Sequence, residues 1–215
     1  MGQRSQIYFR INDQNGKYNL VARYFQWNYG TRMVSRARGI IEWLEGMKRH
    51  PYVLCNRDNE NVKKLERIME INFDYKDVVL SSDIIKEYEE NYYGNSKGMF
   101  TAQDNNDGQL LIDMVVDWKH KNKELNHPVK FKYAFLNSDS KLVGNGDEYM
   151  QWNESYGEED FPWKDDPYLK DEIKYTECNI RYLDKHATLM TPEEVEEFIN
   201  HDYVSDMGLK RKENK

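Results

Sequence analysis

Two apolar-rich runs, residues 7–11 and 18–27, flank the dipeptide Asn15-Gly16. A type I′ turn needs positive φ at both central positions, and Asn-Gly supplies it, so the pattern predicts a β-hairpin. If that turn sets the register, Ile7 faces Tyr24, Phe9 faces Ala22 and Ile11 faces Leu20, which makes one face for a core. The opposite face then pairs Arg4 with Trp27, Gln6 with Phe25, Tyr8 with Arg23 and Arg10 with Val21. A slip of one residue would exchange every partner.

Beyond the hairpin the period changes from two to that of a helix. Thr31 is placed as an N-cap. Met33, Ala37, Ile40, Ile41, Leu44 and Met47 then recur at helical spacing over residues 31–49, and Pro51 ends the run. Further helices are predicted over 59–71, with Val62, Leu65, Ile68 and Met69 inward, and over 83–92, with Ile84, Ile85, Tyr88 and Tyr92 on one side. A polar connection, 94–108, leads to strands at 110–118, 129–136 and 141–143. Phe131, Tyr133 and Phe135 give the second of these its alternation. Residues 147–177 predict irregular structure pinned by aromatics, followed by a strand near 173–182. Thr191-Pro192-Glu193-Glu194 is a capping box with proline at the first helical position. Met190 and Val195 form its hydrophobic staple, and Val195, Phe198 and Ile199 its buried stripe. The fold class expected is α+β: an N-terminal hairpin packed with helices, plus a mainly antiparallel sheet. One domain is expected over 1–208, with 209–215 as a flexible basic tail.

Composition narrows the class. Low hydrophobicity and high charge favour disorder, but 13% aromatic residues argue for a packed core. No apolar run is long enough to span a membrane. The N-terminus lacks the apolar run of a signal peptide. Cys55 and Cys178 form neither a disulfide framework nor a metal half-site, which fits a reducing cytoplasm. The net charge is −7, yet residues 1–50 carry nine Lys/Arg against three Asp/Glu. An acidic chain with one basic region suits local docking of an anion, and broad nucleic-acid binding is not expected.

The basic region concentrates at the junction of hairpin and helix. A helix N-terminus presents unpaired N–H groups that attract anions. Arg32 and Arg36 occupy its first two turns, with no acid before Arg38. Arg4 and Trp27 lie at the near end of the hairpin, and Arg23 is one step along. A phosphate or carboxylate ligand would therefore meet Arg4, Gln6, Arg23, Trp27, Tyr29, Gly30, Thr31, Arg32 and Arg36, with Trp27 and Tyr29 offering faces for stacking. The alternative is that these arginines pair with the acidic 147–177 segment of the same chain. That segment holds eleven acids, three lysines, Trp152, Tyr156, Phe161, Trp163, Tyr168 and Tyr175. Such residues suit either a positively charged protein partner or a staple onto the core.

Other chemistry is weaker. Asp104-Asn105-Asn106-Asp107-Gly108 suggests a calcium loop, but the first and twelfth loop positions would be Gln103 and Met114, where acids are needed. A tight Asx turn fits better. Asp107 and Asp113, with Asp117 on the same strand face as Asp113, are the metal alternative. His50, His120, His127, His186 and His201 show no metal-binding spacing, and no P-loop, GxGxxG or GxSxG motif is present. No cofactor is expected and no catalytic residue is assigned.

Three strings occur together: Met1-Gly2-Gln3-Arg4-Ser5-Gln6-Ile7-Tyr8, Gln26-Trp27-Asn28-Tyr29-Gly30, and the Asn/Asp-rich turn at 104–108. In this the chain resembles an uncharacterised group of small proteins encoded by bacteria, bacteriophages and prophages. Ser5 stands where that group often has histidine. The resemblance implies a bacterial or phage source and an accessory role, and no activity. The leading expectation is a non-enzymatic protein that binds a host or phage protein or an anionic, phosphate-containing ligand. The alternative is a small metal-dependent enzyme acting on nucleotides or nucleic acids, with the arginines on phosphate and Asp107 and Asp113 on the metal.

Overall fold

The hairpin forms, but its turn is closed by Asp13. In the computed structural model, which describes residues 3–71, 80–91, 96–101, 105–120, 127–154 and 162–210, β1 (Arg4–Asn12) pairs antiparallel with β2 (Tyr18–Gln26). The Asp13 N–H donates to the Lys17 carbonyl at 2.7 Å, and the Gly16 N–H donates to the Asp13 carbonyl at 3.1 Å. Gly16 alone in the turn takes positive φ, at 79°. That is a three-residue loop ending in a left-handed glycine, a different solution from the two-residue type I′ turn. The Asp13 carboxylate secures it by accepting the N–H groups of Asn15 and Lys17 at 2.8 and 2.9 Å.

The register is therefore one residue from the expected one. Ile7 faces Arg23, Phe9 faces Val21, Ile11 faces Asn19 and Tyr8 faces Ala22. The slip exchanges the two sides of β2. Val21 and Phe25 join Ile7, Phe9 and Ile11 in one core, while Leu20 and Ala22 join Tyr8 in another. Both sides of the hairpin are buried, so the expected arginine- and aromatic-lined ligand face does not exist as a face.

The sheet extends from this pair. Its order is β3-β2-β1-β4-β5-β6, with β3 Ser81–Asp83, β4 Gln109–Val116, β5 Val129–Leu136 and β6 Leu142–Gly144. β7 (Thr188–Leu189) also pairs with β5. Only β1–β4 and β5–β7 are parallel, so the fold is α+β with a mainly antiparallel sheet. A parallel β1–β4 pair needs a long crossover. It contains α1 (Gly30–Met47), α2 (Glu60–Glu70), α3 (Ile84–Asn91) and α4 (Gly98–Thr101). After β6 come α5 (Gly146–Glu154) and α6 (Ile173–His186), and β7 is followed by α7 (Pro192–Asn200) and α8 (Tyr203–Asp206).

The helices cover both faces. Met33, Val34, Ala37, Ile40, Ile41 and Leu44 of α1 pack on the Ile7–Phe9 side with residues of α2, α5 and α6. Residues of α3, α4, α7 and α8 pack on the Tyr8 side. The capping box of α7 forms as expected, Glu194 N–H to Thr191 Oγ1 at 3.3 Å and Thr191 N–H to Glu194 Oε2 at 3.1 Å.

Three local expectations are corrected. Residues 173–182 are helical, because Thr176, Asn179, Ile180 and Leu183 make an i, i+3, i+4, i+7 stripe that α6 buries. Tyr29 is the N-cap of α1, so Thr31 lies inside the helix. Residues 147–154, expected to be irregular, belong to the helix α5. Leu209 is buried, and its N–H donates to the Val204 carbonyl at 3.0 Å. Tyr92, Gln103, Asp104, Tyr156, Phe161 and residues 211–215 lie outside the described residues. No described helix is long and apolar enough to cross a membrane.

The second core encloses an ion cluster. Arg10 is 3% exposed and sits beside Asp113 on the neighbouring strand. Its guanidinium donates to Asp113 at 2.7 Å, to Glu197 of α7 at 2.6 Å and to the Tyr203 hydroxyl at 3.3 Å. The rings of Tyr18 and Phe198 lie 4.3 and 4.4 Å from it. Burial pushes the Asp113 carboxyl up, and Arg10 opposes that. Removing one partner strands the other charge. Arg10→Leu is expected to lower stability to urea by about 3–5 kcal/mol. The double variant Arg10→Leu, Asp113→Leu is expected to recover more than half of that loss. A double variant no more stable than the single one would show that the pair is not the source.

Candidate functional site

The corner between β2 and α1 is built from a strained turn. The ladder extends one step past β2, with the Trp27 N–H donating to the Gln3 carbonyl at 2.7 Å. Trp27 then adopts φ 61°, a costly conformation for a bulky residue, and is 53% exposed. Asn28 is fully buried, and its amide donates to Ser5 Oγ at 2.8 Å while its Oδ1 accepts from Arg36. Ser5 thus serves to anchor this turn. Gly30 follows with φ 48°. A Cβ there would overlap the Glu154 carboxylate and make that side chain shift, so glycine both permits the turn and lets that side chain approach.

This turn opens the N-terminal end of α1 onto the end of α5 and the approach to α6. Between them is a cavity of about 400 Å³ lined by Tyr29, Thr31, Arg32, Glu154, Asp166, Tyr168, Leu169 and Glu172. The basic corner and the acidic segment meet in it.

Of the residues expected to form an anion site, Tyr29, Thr31 and Arg32 line this cavity and Gly30 abuts Glu154. The others are not brought to it. The Arg4 main chain is tied to the turn before β4, its N–H donating to Asn106 Oδ1 at 3.0 Å and Asp107 Oδ2 at 2.7 Å. Gln6 is buried, with Oε1 accepting from Tyr8 Oη at 2.8 Å and Gln109 Nε2 at 2.7 Å. Arg23 pairs with Glu70 of α2 and with Ser81 of β3. Arg36 is fully buried, with its guanidinium 5.0 Å from the Phe25 ring. Trp27 stands outside the lining.

Asp107 and Asp113 do not converge. They are six residues apart along the chain into β4, roughly 20 Å in extended chain. Asp107 is held by the Arg4 N–H, and Asp113 by Arg10. The Asn105–Gly108 segment is the tight turn expected, with the Gly108 N–H donating to the Asn105 carbonyl at 2.7 Å and φ 85° at Gly108. Among the described residues, no three His, Cys, Asp or Glu side chains are grouped to hold a metal. Burial pushes the Cys55 thiol up to about 12, which disfavours the thiolate.

Glu154 is the feature that the sequence did not reveal. It is 8% exposed, lines the cavity, and among the described residues has no hydrogen-bond or ion-pair partner. Burial, and then the carboxylates of Asp166, Asp107 and Glu172, push its carboxyl up to about 7. At neutral pH it is poised between a hydrogen-bond donor and a buried anion. The acidity of 147–177 was a signal for such a group, but identifying this residue required knowing that α5 ends against Gly30.

The linkage sign follows from the raised titration. The folded state holds the proton more tightly than the unfolded chain, so stability declines as pH rises from the usual carboxylate range through about 7. Glu154→Gln is therefore expected to stabilise the protein above neutrality by on the order of 2 kcal/mol, with little effect near about pH 4. Urea unfolding at both pH values measures this, and a variant no more stable at the higher pH would contradict it. Gly30→Ala is expected to cost about 1–3 kcal/mol from φ alone, plus the clash. A thermodynamic cycle with Glu154→Ala should remove the clash and leave the φ cost.

Comparison of this chain with protein-family models, with curated proteins and with solved structures finds no match.

Proposed function

We propose that this chain is a non-enzymatic binding protein that seats a side chain of a partner, or a small polar ligand, in the cavity at the mouth of α1. The observation that carries this reading is the buried Glu154 carboxylate, without a partner among the described residues, in a cavity lined from both charged regions. Burying an acid without a partner lowers stability, and such costs concentrate where function needs them. Acid–base catalysis would want a second group hydrogen-bonded to Glu154 to orient it. Among the described residues none is. The separation of Asp107 from Asp113 likewise gives the metal-dependent alternative no common site. Two free thiols, Cys55 and Cys178, support action in a reducing cytoplasm. The motif resemblance supports an accessory role in a bacterium or its phage.

A screen of charged and neutral small molecules against the full chain, read by proton–nitrogen correlation NMR, tests the reading. The amides of Tyr29, Thr31, Arg32 and Leu169 are expected to move first. Filling the cavity with Leu169→Trp is expected to abolish those shifts while preserving the rest of the spectrum. Hits that cluster elsewhere, or shifts that survive the filled cavity, would overturn the assignment.

A further inference from the structure

We infer that the group this cavity receives is a protonated amine or a guanidinium, held by the Glu154 carboxylate. The inference rests on the cavity being a binding site, and it adds the chemistry of the ligand.

Among the described residues, three carboxylates line the cavity, those of Glu154, Asp166 and Glu172, against one cationic side chain, Arg32. An acidic cluster alone would be a solvated surface. Glu154 makes the difference, because it is buried and has no partner among the described residues. A charge in that position costs stability until an opposite charge reaches it. An incoming cation supplies charge-assisted hydrogen bonds that no described residue supplies. The walls suit such a ligand. Tyr168 stands 94% exposed at the rim, and with the half-buried Tyr29 it offers ring faces that attract a cation. Leu169 provides an apolar wall for the aliphatic stem of a lysine or arginine.

Two features oppose a cation: Arg32, and the N-terminus of α1 with roughly half a positive charge. The charges acting on Glu154 settle the balance. Asp166 and Glu172 approach it from the segment before α6, Asp107 from the turn before β4, and the Tyr149 hydroxyl from its own helix. All of these carboxylates raise its titration, so the negative groups prevail there although Arg32 also lines the cavity. A phosphate entering the cavity would meet three carboxylates, whereas an amine would meet three acceptors.

The test is an NMR titration of the full chain with N-acetyl-lysine amide and N-acetyl-arginine amide. N-acetyl-norleucine amide serves as the neutral control and inorganic phosphate as the anion. At about pH 8, at least one cationic probe is expected to bind about tenfold more tightly than norleucine amide, with shifts at Tyr29, Thr31 and Leu169. Its affinity is expected to fall at least about threefold at about pH 6, as Glu154 takes up its proton. Glu154→Gln is expected to weaken it about tenfold with the fold intact. Glu172→Gln, a more exposed change, is expected to weaken it by a smaller factor. Tighter or equal binding of norleucine amide or phosphate at the same amides would overturn the cationic ligand and leave the site standing. Cation binding unaffected by Glu154→Gln would overturn the role of that carboxylate. If no probe moves those amides, the site itself falls.

Discussion

The Asp13 carboxylate holds the turn between β1 and β2, and the register of the sheet depends on that turn. By accepting two main-chain N–H groups it selects a loop closed by Gly16, and so decides which residues of β2 stand beside which of β1. With period-two alternation, the choice puts Val21 and Phe25 under α1 and sends Leu20 and Ala22 to the other core. The same register brings Gln26 opposite Arg4 and releases the chain into the strained Trp27–Gly30 turn. The direction of α1, and the cavity at its mouth, follow from there. Parallel pairing of β1 with β4 sets Arg10 beside Asp113 in the opposite layer.

The protein contains two buried charged arrangements of opposite character. Around Arg10 the charge is paired: two carboxylates, a hydroxyl and two ring faces surround one guanidinium, although Arg10 Nε and Asp113 Oδ1 are buried without a hydrogen bond. That cluster joins β1, β4, α7 and α8, and is a structural joint. Around Glu154 the neighbours are of its own sign, and no described cation is bonded to it. In the same fold, the first arrangement pairs a buried charge with opposite charge supplied by the chain. The second has no such pairing among the described residues. That contrast, more than the shifted titration by itself, is what supports the proposal of a binding site at Glu154.

What could be read from the chain follows from the range of the forces involved. The amphipathic stripe of α1, the Asn59-capped α2 and the capping box of α7 depend on neighbours within a turn or two, and their residues announce them. The hairpin was legible, but its register was not, because Asn-Gly suits two turn types and Asp13 decided between them. Residues 173–182 were expected as a strand, whereas the stripe through Ile180 and Leu183 packs as a helix against α1. The cavity was half legible. Tyr29, Thr31 and Arg32 belong to the corner that the charge pattern marks. Glu154, Asp166 and Glu172 reach it only through the tertiary placement of α5 and α6, which no local spacing encodes. The arginines divided for a similar reason: Arg23 lies one strand position from Tyr24, but a single register step sends it to Glu70.

Gly30 shows why corner and acidic segment must be considered as one unit. Its positive φ bends the chain into α1, and its missing side chain leaves the space that Glu154 occupies. A residue with a Cβ would separate the two, because the carboxylate would have to withdraw from the corner. Withdrawn, it could reach solvent and lose its burial cost, and with it the chemistry that distinguishes the cavity. The strain at Trp27 and Gly30 and the burial of Glu154 are thus parts of one arrangement, in which backbone geometry holds an acid with no cation bonded to it among the described residues.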